Sequence, residues 1–138
     1  MSAAPIPARP LPALDVANTA FWTGGAEGEL RITRCSECGY RSHPPVPRCP
    51  SCLSSRVAPS PVSGRAEVYS FTVNHQTWYP ALPTPYVLAI VELVEQAGLR
   101  LTTALAGCDV DEVYVGMPVR VTFTQLEDVW LPFFEKDE

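Results

Sequence analysis

Lysine is nearly missing from this chain: Lys136 is the single example, and the other nine basic residues are arginines. Fifteen acidic residues outweigh ten basic ones, leaving a formal charge of −5. A protein that neutralises nucleic-acid phosphates carries the opposite balance, so a phosphate-backbone binder is disfavoured. Histidine is scarce as well, with only His43 and His75. No histidine-bearing metal motif and no Gly-rich phosphate loop is present, which removes the usual inventory of an autonomous hydrolase or nucleotide enzyme. Long hydrophobic runs are absent, and no basic stretch leads into an apolar one near Met1. Neither a membrane span nor a secretory signal is expected, and the reading is of a cytoplasmic protein. What is present is a hydrophobic share of 46%, enough for a real core, and fifteen prolines, which argue against a mostly helical fold.

Four of the five cysteines form two pairs, Cys35-Ser36-Glu37-Cys38 and Cys49-Pro50-Ser51-Cys52, with ten residues between them. This is zinc-ribbon spacing. A two-residue gap lets both thiolates of a pair turn toward one point, and the amides of the tight turn can face the sulfurs. Gly39 follows the first pair, where such a turn favours a positive φ. Four thiolates satisfy a tetrahedral metal and leave no position for water, so the site is structural. One structural zinc ion is the expectation. The knuckles are also rubredoxin-like, so redox-active iron is the lesser alternative and disulfides come last. His43 lies between the pairs and is not needed as a ligand. Cys108 stands alone and reads as a small buried hydrophobe.

Residues 1–12 hold Pro5, Pro7, Pro10 and Pro12 and cannot propagate a helix; they read as a flexible tail. Ala13, Val16, Ala17, Ala20 and Phe21 follow the spacing of one helical face, predicting a short helix that Gly24 and Gly25 end. Leu30 to Thr33 reads as a strand into the first knuckle. Pro59, Pro61 and Gly64 mark a module boundary. Beyond it the period becomes two. Ala66 to Val73 alternates at Glu67, Tyr69, Phe71 and Val73. Tyr86 to Leu93 is nearly continuously apolar, suggesting burial on both faces. Leu99, Leu101, Thr103 and Leu105 alternate, as do Val119, Val121 and Phe123. Gln96-Ala97-Gly98 forms a hairpin, Gly116-Met117-Pro118 opens a strand, and a last strand covers Val129 to Phe134. The fold class is therefore mainly β: a short N-terminal helix, a rubredoxin-like zinc ribbon and a five-stranded OB-fold barrel. The expected divisions are a tail over 1–12, a helical segment over 13–28, a ribbon over 29–58 and a barrel over 59–138.

The ordered set Phe21-Trp22, Gly28-Glu29-Leu30, Cys35-x-x-Cys38-Gly39, Pro44-Pro45, Cys49-Pro50-x-Cys52, Gly64, Val68-Tyr69-Ser70-Phe71-Thr72-Val73, Pro85-Tyr86 and Gly116-Met117-Pro118-Val119-Arg120-Val121 resembles a known family. It is similar to the zinc-ribbon/OB-fold proteins grouped as domain of unknown function thirty-five, from about residue 13 to residue 134. The resemblance implies an acyl-CoA-associated accessory subunit. Such proteins sit beside thiolase-like enzymes, including lipid-transfer-protein-type thiolases and aldolases of steroid side-chain degradation, and some pair with hydratases. The implied role is to bind and complete such a partner in a hetero-oligomer, with acyl-CoA contact, while the partner supplies the catalytic residues.

The residue inventory fits a chain that is not an enzyme by itself, and no catalytic residue is assigned. His75, Trp78 and Tyr79 fall in the loop between the first two barrel strands, at the rim where OB-folds bind ligands. With Arg41 and His43 they are the candidate ligand or partner contacts; Arg34 and Arg48 could pair with coenzyme A phosphates, although solvated charge explains them too. Phe21, Trp22, Trp130, Phe133 and Phe134 concentrate apolar area near the two ends of the chain and are the candidate partner interface. Two alternatives stay open. A single-stranded nucleic-acid module would show salt-sensitive oligonucleotide binding, and a rubredoxin-like electron carrier would show iron by metal analysis.

Overall fold

The computed structural model describes residues 10–78 and 83–137. Most of the sequence-assigned tail, residues 1–9, lies outside them. The helix is shorter than its apolar spacing predicts. Asp15 and Asn18 exchange side-chain hydrogen bonds: each backbone N–H donates to the other's Oδ1 at 2.8 Å. This local pairing holds residues 15–18 in a turn and competes with helix. Helix α1 therefore spans only Thr19–Thr23, and Val16 is fully exposed instead of lying on a buried stripe. Gly24 does not stop the chain either. It keeps right-handed dihedrals into a 3₁₀ turn over Gly24–Glu27, and Gly28, at φ 70°, ends it.

Gly25 sits where nothing larger fits. A Cβ there would lie 2.5 Å from Trp130 Cβ and 2.7 Å from Phe123 Cδ1. Both neighbours are near their own backbones and have little room to yield. Gly25→Ala is expected to lower stability by about 1–3 kcal/mol, as overpacked cores do. Denaturant melts of the two proteins measure this, and an unchanged midpoint would refute the packing account.

The first sheet has the order β2-β1-β3, with β1 at Leu30–Cys35, β2 at Arg41–Ser42 and β3 at Val57–Val62. Pro59 and Pro61 are inside β3, opposite Thr33 and Arg31. As the outer strand, β3 pairs only with β1, and an edge strand tolerates residues that lack an N–H. The ribbon sheet thus continues beyond residue 58 to Val62.

The second sheet closes into a barrel in the order β4-β5-β6-β8-β7. Its strands are β4 (Arg65–Asn74), β5 (Tyr86–Leu93), β6 (Arg100–Ala106), β7 (Pro118–Leu126) and β8 (Val129–Lys136). All pairs are antiparallel except β6 with β8, whose parallel seam has only Leu105↔Phe134 and Ala106↔Glu135. This five-stranded closure is the expected OB architecture. Two details depart from the sequence pattern. A bulge between Val68 and Ser70 shifts the phase of β4. Ala66 and Val68 are buried, Phe71 and Val73 pack against the core after the bulge, and Tyr69 faces out under the Arg100 guanidinium at 3.7 Å. In β5 only Val87, Ala89, Val91 and Leu93 are buried. Leu88 and Ile90 remain 41% and 36% exposed, so one face of the apolar run is uncovered.

One apolar cluster joins the modules: Phe21, Leu30 and Ile32 pack in the same core as Val68, Val91, Met117 and Phe134. A polar clamp adds to it. The Arg41 N–H donates to Gln96 Oε1 at 2.8 Å, and Gln96 Nε2 donates to the Arg41 carbonyl at 2.7 Å. The Gln96 amide, carried by the β5–β6 hairpin, thereby serves β2 as a neighbouring strand would. No helix among the described residues is long and apolar enough to cross a membrane.

Candidate metal centre and partner surface

The two knuckles converge at the end of the ribbon. Cys35 closes β1, Cys38 follows its turn, and Cys49 and Cys52 enter from the second turn. The four Sγ atoms all lie within 4.8 Å of one another, with Cys35–Cys52 and Cys38–Cys49 each at 3.6 Å. A tetrahedral ion with metal–sulfur bonds of about 2.3 Å needs sulfurs roughly 3.8 Å apart, so the quartet fits one ion. Cys35 and Cys49 are buried, while Cys38 and Cys52 are exposed. No other cluster of three or more potential ligands occurs among the described residues.

The knuckle turns are alike. Gly39 N–H donates to the Cys35 carbonyl and Leu53 N–H to the Cys49 carbonyl, each at 2.9 Å. Gly39 and Leu53 both take positive φ, at 81° and 65°. This backbone turns amides toward sulfur. Cys49 Sγ receives the Ser51 N–H at 3.4 Å and the Cys52 N–H at 3.5 Å. The Cys38 N–H, with that of Glu37, holds the Cys35 thiol down at about 7. At Cys52 the Ser54 N–H favours the thiolate, but burial and the neighbouring thiols outweigh it and push the group up to about 12. Four acids this close cannot all lose their protons unless a cation takes their place. The donor set is soft, complete and closed to water, which suits a structural metal.

A groove of about 750 Å³ runs between α1, the segment after β2 and the barrel. Its walls bring together Trp22, His43, Leu88, Arg100 and Phe133. His43 stacks its ring 4.7 Å from that of Phe21, and burial pushes its pKa down, which favours neutral imidazole. The other candidate residues divide. Phe134 is a core residue at 0% exposure and offers no surface to a partner, while Phe21, 5% exposed, is a core residue that also lines the groove wall. Trp130 is half-buried against Gly25. Arg41 spends its backbone on Gln96, and its Nε is buried without a partner. His75 and Trp78 are exposed in the β4–β5 loop and do not line the groove. Trp78 is held outward by its Nε1–H, which donates to Asn74 Oδ1 at 3.3 Å. Tyr79 lies outside the described residues. Cys108 is partly buried, and burial together with Glu112 and Asp109 raises its thiol pKa, which makes it a poor nucleophile. Leu88 and Arg100 were missed from sequence; a strict period of two through Tyr86–Leu93 would have turned Leu88 outward.

Two family profiles match the chain: the ChsH2 rubredoxin-like zinc ribbon domain over residues 22–58 and the ChsH2 C-terminal OB-fold domain over residues 60–124. The solved structure of an Ltp2-ChsH2(DUF35) aldolase superposes with a TM-score of 0.82 at 36% identity, covering 91% of this chain and 98% of that one. The chain belongs to the ChsH2 (DUF35) family. Its ribbon is thus of the zinc type, with Cys35, Cys38, Cys49 and Cys52 as the ligand set. Among ChsH2-like relatives, the 3-oxo-4,17-pregnadiene-20-carboxyl-CoA hydratase alpha subunit of Mycobacterium tuberculosis is 41% identical over 118 residues, or 86% of this chain. The benzoylsuccinyl-CoA thiolase subunit BbsA of Thauera aromatica is 35% identical over 90 residues, 61% of this chain and 60% of that protein. The chain spans only 37% of the length of that hydratase alpha subunit, and 39% of the probable enoyl-CoA hydratase alpha subunit of Thermomonospora curvata, to which it is 38% identical over 127 residues.

Proposed function

We propose that this chain is a non-catalytic accessory subunit that binds and completes a thiolase-like acyl-CoA enzyme in the cytoplasm, a lipid or steroid side-chain aldolase or thiolase. The observation that carries the reading is the fold likeness to the Ltp2-ChsH2(DUF35) aldolase, which extends over 98% of that chain. Relatives that bear the names of a CoA hydratase subunit and a CoA thiolase subunit support the same class of partner. The chemistry of the chain agrees. Its metal ligands are complete without water or substrate, so the ion stabilises the ribbon and leaves turnover to the partner. The docking surface in this reading is the groove rim at Trp22, His43 and Phe133, with the exposed Trp78 and His75 contributing at the barrel rim. Acyl-CoA contact would fall where these surfaces meet the partner's active-site mouth.

Co-expression with a thiolase-like enzyme of the kind found in the Ltp2-ChsH2(DUF35) aldolase provides the test. The two chains are expected to co-elute at fixed stoichiometry, and thioester cleavage should require both. The double variant Trp22→Ala, Phe133→Ala should weaken the complex about tenfold or more, as loss of aromatic anchors does, while the isolated chain stays folded. A chain that ignores such enzymes, or that turns over a thioester unaided, would overturn the proposal.

A further inference from the structure

The two knuckles share one more feature. Each first cysteine is preceded by an arginine, as Arg34-Cys35-x-x-Cys38-Gly39 and Arg48-Cys49-x-x-Cys52-Leu53. Both arginines fold back on their own turn. Arg34 Nε donates to the Gly39 carbonyl at 3.3 Å, and Arg48 Nη1 donates to the Leu53 carbonyl at 3.1 Å. These are equivalent atoms, the carbonyls of the two positive-φ residues that close the knuckles. The same two peptide units carry the amides of Tyr40 and Ser54, two residues beyond Cys38 and Cys52, and these amides favour the thiolates of those cysteines.

We propose that Arg34 and Arg48 are positioning residues of the metal centre, each gripping one carbonyl so that the N–H of the same peptide is held on the second sulfur of its knuckle. The peptide is rigid and planar, so fixing its oxygen fixes where its hydrogen points. Hydrogen bonds in a chain polarise one another, and a guanidinium on the oxygen makes the N–H a better donor to thiolate. Cys38 and Cys52 benefit most because they are the exposed pair of the quartet, where water competes for sulfur. Four thiolates around a divalent ion leave a charge of −2, and one arginine per knuckle places two positive charges beside it. Arginine is suited to the task because its fork orients the donor as well as supplying charge.

The test uses the full chain loaded with zinc and reads metal loss. The double variant Arg34→Met, Arg48→Met is expected to release zinc to a chromogenic chelator about tenfold faster, the size typical of lost outer-shell partners. Four protons replace one ion, so a tenfold loss of affinity moves the pH of half-release upward by about a quarter of a unit. The cobalt-substituted variant should show its thiolate-to-metal charge-transfer bands at lower energy, which a merely structural role would not produce. Arg→Gln at both positions, which keeps an N–H donor without charge, should restore part of the loss; Arg→Lys, which keeps charge without the fork, should restore less. Full rescue by lysine and none by glutamine would overturn the orienting role. So would unchanged release rates and bands in the double methionine variant. Melting at saturating zinc is expected to stay within a few degrees for all of them, since both side chains are exposed.

Discussion

Cys38→Ala should cost the chain its ribbon and much of its overall stability. Removing one sulfur leaves three donors and opens the site to water, and the binding energy of a structural zinc, on the order of 10 kcal/mol, is largely lost with it. The ribbon has little else to hold it. Its described strands bury Leu30, Ile32 and Thr33 on β1, while β3 has no buried residue and contains two prolines. The damage should spread, because Leu30 and Ile32 share a core with Val68 and Phe134, and Gln96 of the barrel hairpin depends on β2 for its partners. We expect no bound zinc by mass spectrometry, loss of ribbon amide signals and a fall in melting temperature of roughly 10 °C or more for a domain of this size. Retention of one zinc with an unchanged melt would remove the metal from its structural role.

Phe134→Ala should have the second largest effect, about 3–5 kcal/mol, the range for truncating a buried phenylalanine. Phe134 is 0% exposed and belongs to the shared core. It also forms half of one of the two residue pairs that close the parallel β6–β8 seam. The cavity would therefore open where the barrel has the fewest backbone bonds to resist it. Equilibrium denaturation measures the loss. The adjacent Phe133→Ala should cost far less, since that side chain lies at the groove and not in the core. Equal losses for the two would mean that the seam does not limit barrel stability.

These neighbours show where sequence reading stops. Both are phenylalanines in one apolar strand, and the sequence offered them as one patch with Trp130. Strand alternation sends them to opposite sides, but which side is the core depends on how β8 meets β6 and β7. Phe21 and Trp22 differ in burial although both reach the groove: Phe21 belongs to the core, and Trp22 is only half-buried. At β4, the bulge adds a residue that no periodicity announces. The shortened helix was more legible: Asp15 and Asn18 carry side chains that compete with helix, and that signal outweighed the apolar spacing.

The amino-acid sequence by itself determined the metal ligands, the number and order of the barrel strands and the family, because cysteine spacing, strand period and turn residues act within a few positions of the chain. Tertiary structure alone decided which aromatics are core, where the groove lies, how Gln96 couples the modules and which carbonyls the knuckle arginines hold. Those outcomes depend on contacts between elements distant in sequence or on directions that side chains take once the turns have closed, and neither is written in local spacing.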